Sequence, residues 1–174
     1  MPYPHIPYKR FCWSMGTTSY RTRNFSKHLE WQLALLSEFW EKPEYRTTPW
    51  EDNEAVQAAY YDFLREAGFL SGNAPNKPKD ARQKTSGLVD IGVIDPERRL
   101  TEVGRALLRI SQRGDFSPDN PLQIARDSFL YLKQLLKMSD SVEGKTVRPF
   151  LVFLYLLSKL GYLTMEEYAF LLPL

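Results

Sequence analysis

The sequence of 174 residues contains one cysteine, two histidines and no long apolar run. Because Cys12 has no second cysteine to pair with, an internal disulfide is excluded. A structural zinc site is not expected, since the cysteine and the two histidines lie far apart in the sequence. The N-terminus has no apolar signal core, and the longest apolar run, residues 150–157, is far shorter than the ~20 residues that cross a bilayer. We therefore expect a cytoplasmic protein without a membrane span, with no metal site in this chain.

Charge is nearly balanced overall, with a formal net charge of +2, but it is unevenly distributed. Residues 9–27 hold five basic residues and no acid, and residues 79–113 hold eight basic and five acidic residues. Residues 51–66 are acidic, with Arg65 as the only basic residue. A basic stretch beside an acidic one is typical of a protein that turns one side toward nucleic acid. The two basic stretches are therefore the candidate DNA contacts.

The stretch 80–108 (DARQKTSGLVDIGVIDPERRLTEVGRALL) has the pattern of the second half of a winged helix-turn-helix. A polar and basic helix start leads into an apolar helix end at Leu88. Val93 and Ile94 then form a short apolar strand, residues 95–98 a tight turn, and Thr101 the cap of a new helix. In a helix-turn-helix, the N-terminal residues of the second helix meet base edges in the major groove. The order of elements therefore predicts a recognition helix at 80–90 followed by a short β-wing.

The remaining sequence predicts a mainly α fold. Apolar spacing indicates helices over 25–41, over 122–137 and over 147–159, and a short helix from Met165 to Leu172. Thr48-Pro49-Trp50-Glu51 resembles a capping box that opens a helix ending at Gly68, and 139–146 is a polar linker. The helix over 147–159 is apolar nearly all round, which predicts burial on most sides.

We divide the chain into a winged-helix DNA-recognition domain with an N-terminal arm, 1–113, and a second helical subdomain, 121–174. The helices over 147–159 and 165–172 resemble the first two helices of another helix-turn-helix, and the third is missing. The second subdomain is therefore expected to be an incomplete winged helix in a truncated chain.

Side chains that donate hydrogen bonds to phosphates or base edges are concentrated in an arm, a helix and a turn. Arg82 suits guanine, Gln83 adenine, and Lys84 a phosphate or guanine, while the arginines at 98 and 99 suit the backbone or minor groove. The alternative is a surface loop and the solvated face of an ordinary helix. The candidate DNA-binding residues are Thr17, Thr18, Ser19, Tyr20, Arg21, Arg23, Lys79, Arg82, Gln83, Lys84, Thr85, Ser86, Arg98 and Arg99.

No catalytic centre is expected in this chain. A PD-(D/E)xK nuclease needs carboxylates and a lysine that converge on Mg²⁺, with the second half of the motif on a buried strand. The only literal matches are Pro118-Asp119 and Glu143-Gly144-Lys145, and the latter lies in a polar segment. His5 and His28 have no evident acid or nucleophile partner, and the glycines form no phosphate loop.

Three stretches resemble the N-terminal part of AlwI-like type IIS restriction endonucleases, a family that includes related nicking enzymes. They are residues 13–22 (WSMGTTSYRT), 81–95 (ARQKTSGLVDIGVID) and 99–101 (RLT). The resemblance runs over essentially the whole chain and implies a recognition part built of winged-helix subdomains that binds a short asymmetric duplex site. It also implies a separate C-terminal nuclease domain that needs Mg²⁺. The family's catalytic carboxylates have no counterpart in this chain, so only the recognition role carries over, to residues 17–23 and 82–86.

The expected function is therefore sequence-specific recognition of double-stranded DNA by a monomer that acts with its own C-terminal nuclease domain. One alternative is a winged-helix transcriptional regulator, whose C-terminal helices would form a dimer and whose site would be two-fold symmetric. Another is a winged helix used only for protein contact. Binding to duplex DNA that is absent, or that does not respond to salt, would favour this last alternative.

Overall fold

The first helix follows from a stripe of large apolar residues and ends just before Pro43. The computed structural model describes residues 24–142 and 144–171, and α1 spans Phe25–Glu41 as the sequence predicts. Leu29, Leu33, Leu36 and Trp40 are all buried along one side of this helix. Asn24 occupies the N-cap position, but its side chain makes no capping hydrogen bond. The burial of these residues confirms that the apolar side of α1 faces the core.

The second and third helices are Glu54–Glu66 (α2) and Lys77–Asp90 (α3). Neither begins where the sequence predicts. The Asn53 side chain accepts a hydrogen bond from the backbone N–H of Val56, so the predicted capping box at 48–51 is wrong. Asn76 caps α3 by accepting from the backbone N–H of Lys79, so this helix begins at Lys77 rather than at the predicted residue 80. In both helices an asparagine at the end of the preceding loop supplies the acceptor that the free N–H groups need.

Between α3 and the fourth helix the chain makes the predicted tight turn. Ile94 and Leu100 form an isolated antiparallel bridge. The backbone N–H of Asp95 donates to the carbonyl of Arg99 at 2.9 Å, and the N–H of Thr101 donates to the carbonyl of Val93 at 3.1 Å. Helix α4, Glu102–Arg113, then begins with Thr101 as its cap, as predicted. The chain therefore runs helix, bridged turn, helix through this stretch.

A close backbone approach joins this turn to α4. A Cβ atom placed on Gly104 would lie 2.0 Å from the carbonyl oxygen of Val93, which no side chain can tolerate. Only glycine lets the first turn of α4 pack this closely against the strand-like segment that precedes it.

The core of this part of the chain is formed by α1, α2, α3, α4 and the turn. α2 packs along α3, and α1 contacts both α2 and α4. An aromatic cluster lies at its centre, with the Phe39 ring 5.2 Å from the Tyr60 ring and the Trp50 ring 5.7 Å from the Tyr60 ring. The fully or almost fully buried large side chains include Leu33, Leu36, Phe39, Trp50, Tyr60, Leu64, Ile94 and Leu107.

The described residues divide into two compact units, 24–132 and 133–171. The division falls within α5, Arg126–Lys137. The domain boundary predicted in the loop at 114–120 stays a prediction. The predicted start of this helix at Leu122 is four residues too early.

The second unit contains an antiparallel hairpin that the sequence does not predict. β1 (Asp140–Val142) pairs with β2 (Lys145–Val147), and Ser141 lies opposite Thr146. Gly144 takes a positive φ of 77° in the connecting turn, a conformation that glycine adopts readily. The prediction of a plain polar linker over 139–146 is therefore wrong.

Two helices follow the hairpin, α6 (Pro149–Leu160) and α7 (Met165–Leu171). Gly161 ends α6 and Thr164 caps α7. The expected burial of α6 is not observed: Leu151, Leu154 and Tyr155 are 41%, 42% and 61% exposed. Within this unit few elements are available to cover a helix that is apolar on all sides. Among the described residues there are seven helices and one two-stranded sheet, so the fold is mainly helical.

Candidate nucleic-acid interface

Helix α3, the predicted recognition helix, is held in place along one side. Ala81, Thr85 and Leu88 are buried at successive turns, and the side-chain amide of Gln32 in α1 donates to the carbonyl of Lys84 at 3.1 Å. The loop before the helix is fixed by one hydroxyl. The Tyr61 side chain accepts from the N–H of Ala74 at 2.7 Å and donates to the carbonyl of Gly72 at 3.0 Å. The position of α3 is therefore set by contacts at its start and along its length.

The rest of the surface of α3 carries polar and basic groups. Lys79, Gln83 and Lys84 are exposed, while Arg82 and Ser86 are half-buried. These five predicted DNA-binding residues lie within about two turns of the helix, and their donors suit phosphate oxygens and base edges.

Thr85, the sixth predicted residue on this helix, lies in the core. It is fully buried, its hydroxyl donates to the carbonyl of Ala81 at 2.9 Å, and it accepts from Nε of Arg98 at 2.9 Å. Because these contacts use the hydroxyl inside the protein, Thr85 is not part of the exposed face of α3.

The two arginines of the turn also contact the protein. The Arg98 guanidinium lies 5.5 Å from the centre of the Trp50 ring, and burial lowers the pKa of this side chain. The Arg99 guanidinium lies 3.6 Å from the centre of the Trp40 ring and donates to the carbonyls of Tyr45 and Thr48 at 3.3 and 3.0 Å. These contacts fix the turn against the rest of the unit.

Gln57, a residue that carries no signal of function in the sequence, connects Arg82 to the core. One Nη of Arg82 donates to Oε1 of Gln57, and Nε2 of Gln57 donates to the carbonyl of Trp50 at 2.9 Å. Gln57 is only 2% exposed. Its position next to Val56, on the side of α2 that also carries Tyr60 and Leu64, could have marked it, because a glutamine among core positions must find partners.

A cleft of about 610 Å³ opens beside Arg82. Its walls carry both positively and negatively charged side chains. Carboxylates on this side of α3 disfavour the approach of a phosphate. The lining residues are Trp50, Glu51, Asp52, Glu54, Gln57, Arg82, Pro96 and Arg98.

Lys84 also affects a histidine in α1. Burial is the larger cause that lowers the pKa of His28, and the positive charge of Lys84 adds to it. The imidazole stacks on the ring of Phe69 with 4.4 Å between ring centres. Both effects favour the neutral imidazole, so His28 adds no positive charge beside Lys84 near neutral pH.

Several predicted residues cannot be placed. The arm residues Thr17, Thr18, Ser19, Tyr20, Arg21 and Arg23 lie outside the described residues, as does Glu143 of the nuclease-like motif. Asp119 is described: its carboxylate takes two hydrogen bonds from the guanidinium of Arg126, which also pairs with Asp115 at 2.5 Å. Within the described ranges, no group of three or more histidine, cysteine, aspartate and glutamate residues could hold a metal ion.

Of the helices in the described part of the chain, none combines the length and apolar character that crossing a membrane requires. Comparison of the chain with models of protein families, with curated proteins and with solved structures finds no match.

Proposed function

We propose that this chain recognises a short sequence in double-stranded DNA, as the N-terminal recognition part of an AlwI-like type IIS restriction endonuclease. The observation that carries the proposal is the arrangement of α3, whose one side packs in the core while Lys79, Gln83 and Lys84 face outward. The resemblance of residues 81–95 and 99–101 to that family supports it.

In this proposal α3 is the recognition helix of a winged helix-turn-helix. α2 is the helix that supports it, and the bridged turn between Ile94 and Leu100 is a short wing. Gln83 has the donor and acceptor pair that reads adenine, and Arg82 has the planar fork that reads guanine. Lys79 and Lys84 supply charge for phosphates, which adds affinity without sequence preference.

Cleavage is assigned to a different part of the enzyme. The resemblance implies a C-terminal nuclease domain whose carboxylates bind Mg²⁺, and we propose that domain as the intramolecular partner of this chain. The residues described here supply recognition only, so the proposal is tested by binding.

Selection from a randomised duplex library, followed by sequencing of the bound DNA, tests the proposal directly. We expect enrichment of one short site without two-fold symmetry, because a monomer with one recognition helix imposes no symmetry on its DNA. A folded protein that enriches no sequence would contradict sequence-specific recognition. Weak binding that falls steeply with salt but shows no preference would leave only non-specific binding.

A dimeric winged-helix regulator is the second candidate, and the exposed apolar side chains of α6 favour it. Leu151, Leu154 and Tyr155 are of the size and type that a second copy would cover. A dimer should select a site with two-fold symmetry and should show twice the chain mass of 20.3 kDa by light scattering. A monomer with an asymmetric site would exclude this candidate.

A further inference from the structure

We infer that Gln57 is a positioning residue that orients Arg82 for base recognition. The inference rests on the proposed function and deepens it, because it names how one base contact is prepared in the free protein. Three observations carry it: the burial of Gln57, the two hydrogen bonds of its amide, and the place of Arg82 on α3.

The amide of Gln57 has one favourable orientation. Its nitrogen donates to the Trp50 carbonyl at 2.9 Å, which leaves its oxygen for the guanidinium of Arg82. A flipped amide would place its NH₂ group against the N–H groups of Arg82 and its oxygen against the Trp50 carbonyl, so both contacts would be repulsive. Gln57 therefore presents a fixed acceptor to Arg82.

A fixed acceptor matters because an arginine side chain is long and flexible. Guanine is read by two parallel N–H donors, so the plane of the guanidinium must be set before it can bind well. The guanidinium has five N–H donors, and the contact with Gln57 uses one of them. Anchoring one donor lowers the conformational entropy that is lost when the others bind.

The neutral amide also leaves the charge of Arg82 intact. A carboxylate at this position would form an ion pair with the guanidinium and would compete with the bases and phosphates of DNA. Nearby carboxylates do line the same cleft, at Glu51, Asp52 and Glu54, but the contact with the guanidinium comes from an uncharged group. Gln57 thus orients Arg82 without neutralising it.

A double-mutant cycle on the selected DNA site tests the inference, with Gln57→Met, Arg82→Ala and the double variant. We expect Arg82→Ala and Gln57→Met each to lose about tenfold of the preference for one and the same base pair. The double variant should lose no more than Arg82→Ala, because Gln57 acts through Arg82. Affinity of Gln57→Met for an unrelated duplex should equal that of the wild type, since no charge is removed.

Gln32→Met is the matched control. Gln32 is also buried and also bonds α3, but it bonds the backbone carbonyl of Lys84 rather than a side chain. This variant should keep the preference at the Arg82 base pair even if its melting temperature falls. Should Gln57→Met not fold, Gln57→Asn replaces it, because its amide ends one methylene short of the guanidinium.

The possible outcomes separate the two proposals. Two results would overturn the positioning role and leave DNA recognition standing. In one, the losses of base preference in the two single variants add in the double variant. In the other, Arg82→Ala loses the base preference and Gln57→Met keeps it. An Arg82→Ala variant with full preference would also overturn it. If the wild-type protein enriches no site, the proposed function fails and the positioning role fails with it.

Discussion

The indole N–H of Trp40 donates a hydrogen bond to the backbone carbonyl of Arg98 at 2.8 Å. The same ring lies under the guanidinium of Arg99, 3.6 Å from ring centre to the guanidinium carbon. The Trp40 side chain therefore binds the main chain of the turn through its indole N–H and the Arg99 cation through the face of its ring. This pair of contacts fixes the turn that precedes α4, and with it the proposed wing.

Replacement of Trp40 by phenylalanine should lower the free energy of unfolding by about 2 kcal/mol, because a carbonyl loses its partner and the smaller ring leaves a void. Chemical denaturation measures the change. Trp31→Phe, on the same helix, is the matched control: Trp31 is 45% exposed, and its replacement should change stability by less than ~0.5 kcal/mol. Equal effects of the two substitutions would contradict the role given to Trp40.

Gly104→Ala should lower stability by about 3 kcal/mol, although alanine is the better helix former, because the new methyl group would overlap the Val93 carbonyl. Gly72→Ala is the control, since a Cβ there meets no atom within 4 Å. We expect that variant to melt at or slightly above the wild-type temperature. A Gly104→Ala variant as stable as the wild type would show that α4 can move away from Val93.

The contribution of Glu30 to stability should decrease as pH rises past 4.5, the ordinary pKa of its carboxyl. Burial is the main cause that raises the pKa of this carboxyl in the folded protein, and Asp127 adds to it. The folded state thus keeps the proton to a higher pH than the unfolded chain, so its contribution to stability is present at low pH and is lost as pH rises through the folded-state pKa.

Glu30→Gln removes this loss and keeps an oxygen that can accept from the Tyr131 hydroxyl, which lies 3.2 Å away in the wild type. The variant should melt above the wild type at pH 7, and the difference should shrink toward pH 4. Melting curves across this range measure it. Glu38→Gln, at an exposed position of the same helix, is the matched control. A Glu30→Gln variant that is less stable than the wild type at pH 7 would contradict the raised pKa.

Replacement of Lys79 and Lys84 by alanine should weaken binding to all DNA duplexes by the same factor. The slope of log affinity against log salt concentration should become shallower by about one for each lysine that contacts a phosphate. Binding isotherms at several salt concentrations measure both effects. Arg109→Ala removes an exposed positive charge from α4 and serves as the control. An equal change in that variant would mean that only overall charge matters.

The sequence predicts the helix bounds best where residues close in sequence determine them. The apolar stripe of α1 and Pro43 define that helix correctly, and Thr101 opens α4 as expected. The start of α2 is different. The backbone N–H of Trp50 donates to the carboxylate of Glu97 at 2.7 Å, and the indole is buried, so a residue expected in the first turn of a helix belongs to the core instead. A partner 47 residues away cannot be read from local spacing.

The same limit applies to the candidate site. Spacing predicts that α3 carries donors, but it does not separate Thr85, which lies in the core, from Lys84, which is exposed. The contact between Arg82 and Gln57 joins residues 25 positions apart, and it depends on how α2 packs against α3. Such contacts follow from tertiary packing, which a single sequence does not specify.

The contacts of Trp40 and Arg99 end on main-chain carbonyls, those of Arg98, Tyr45 and Thr48. Carbonyl acceptors are present whatever side chain a position carries. Saturation mutagenesis should therefore find Thr48 permissive and Trp40 and Arg99 restrictive, although all three belong to the same set of contacts. A change of the side chain at position 48 therefore leaves in place the carbonyl that holds Arg99 and, through it, the turn before α4.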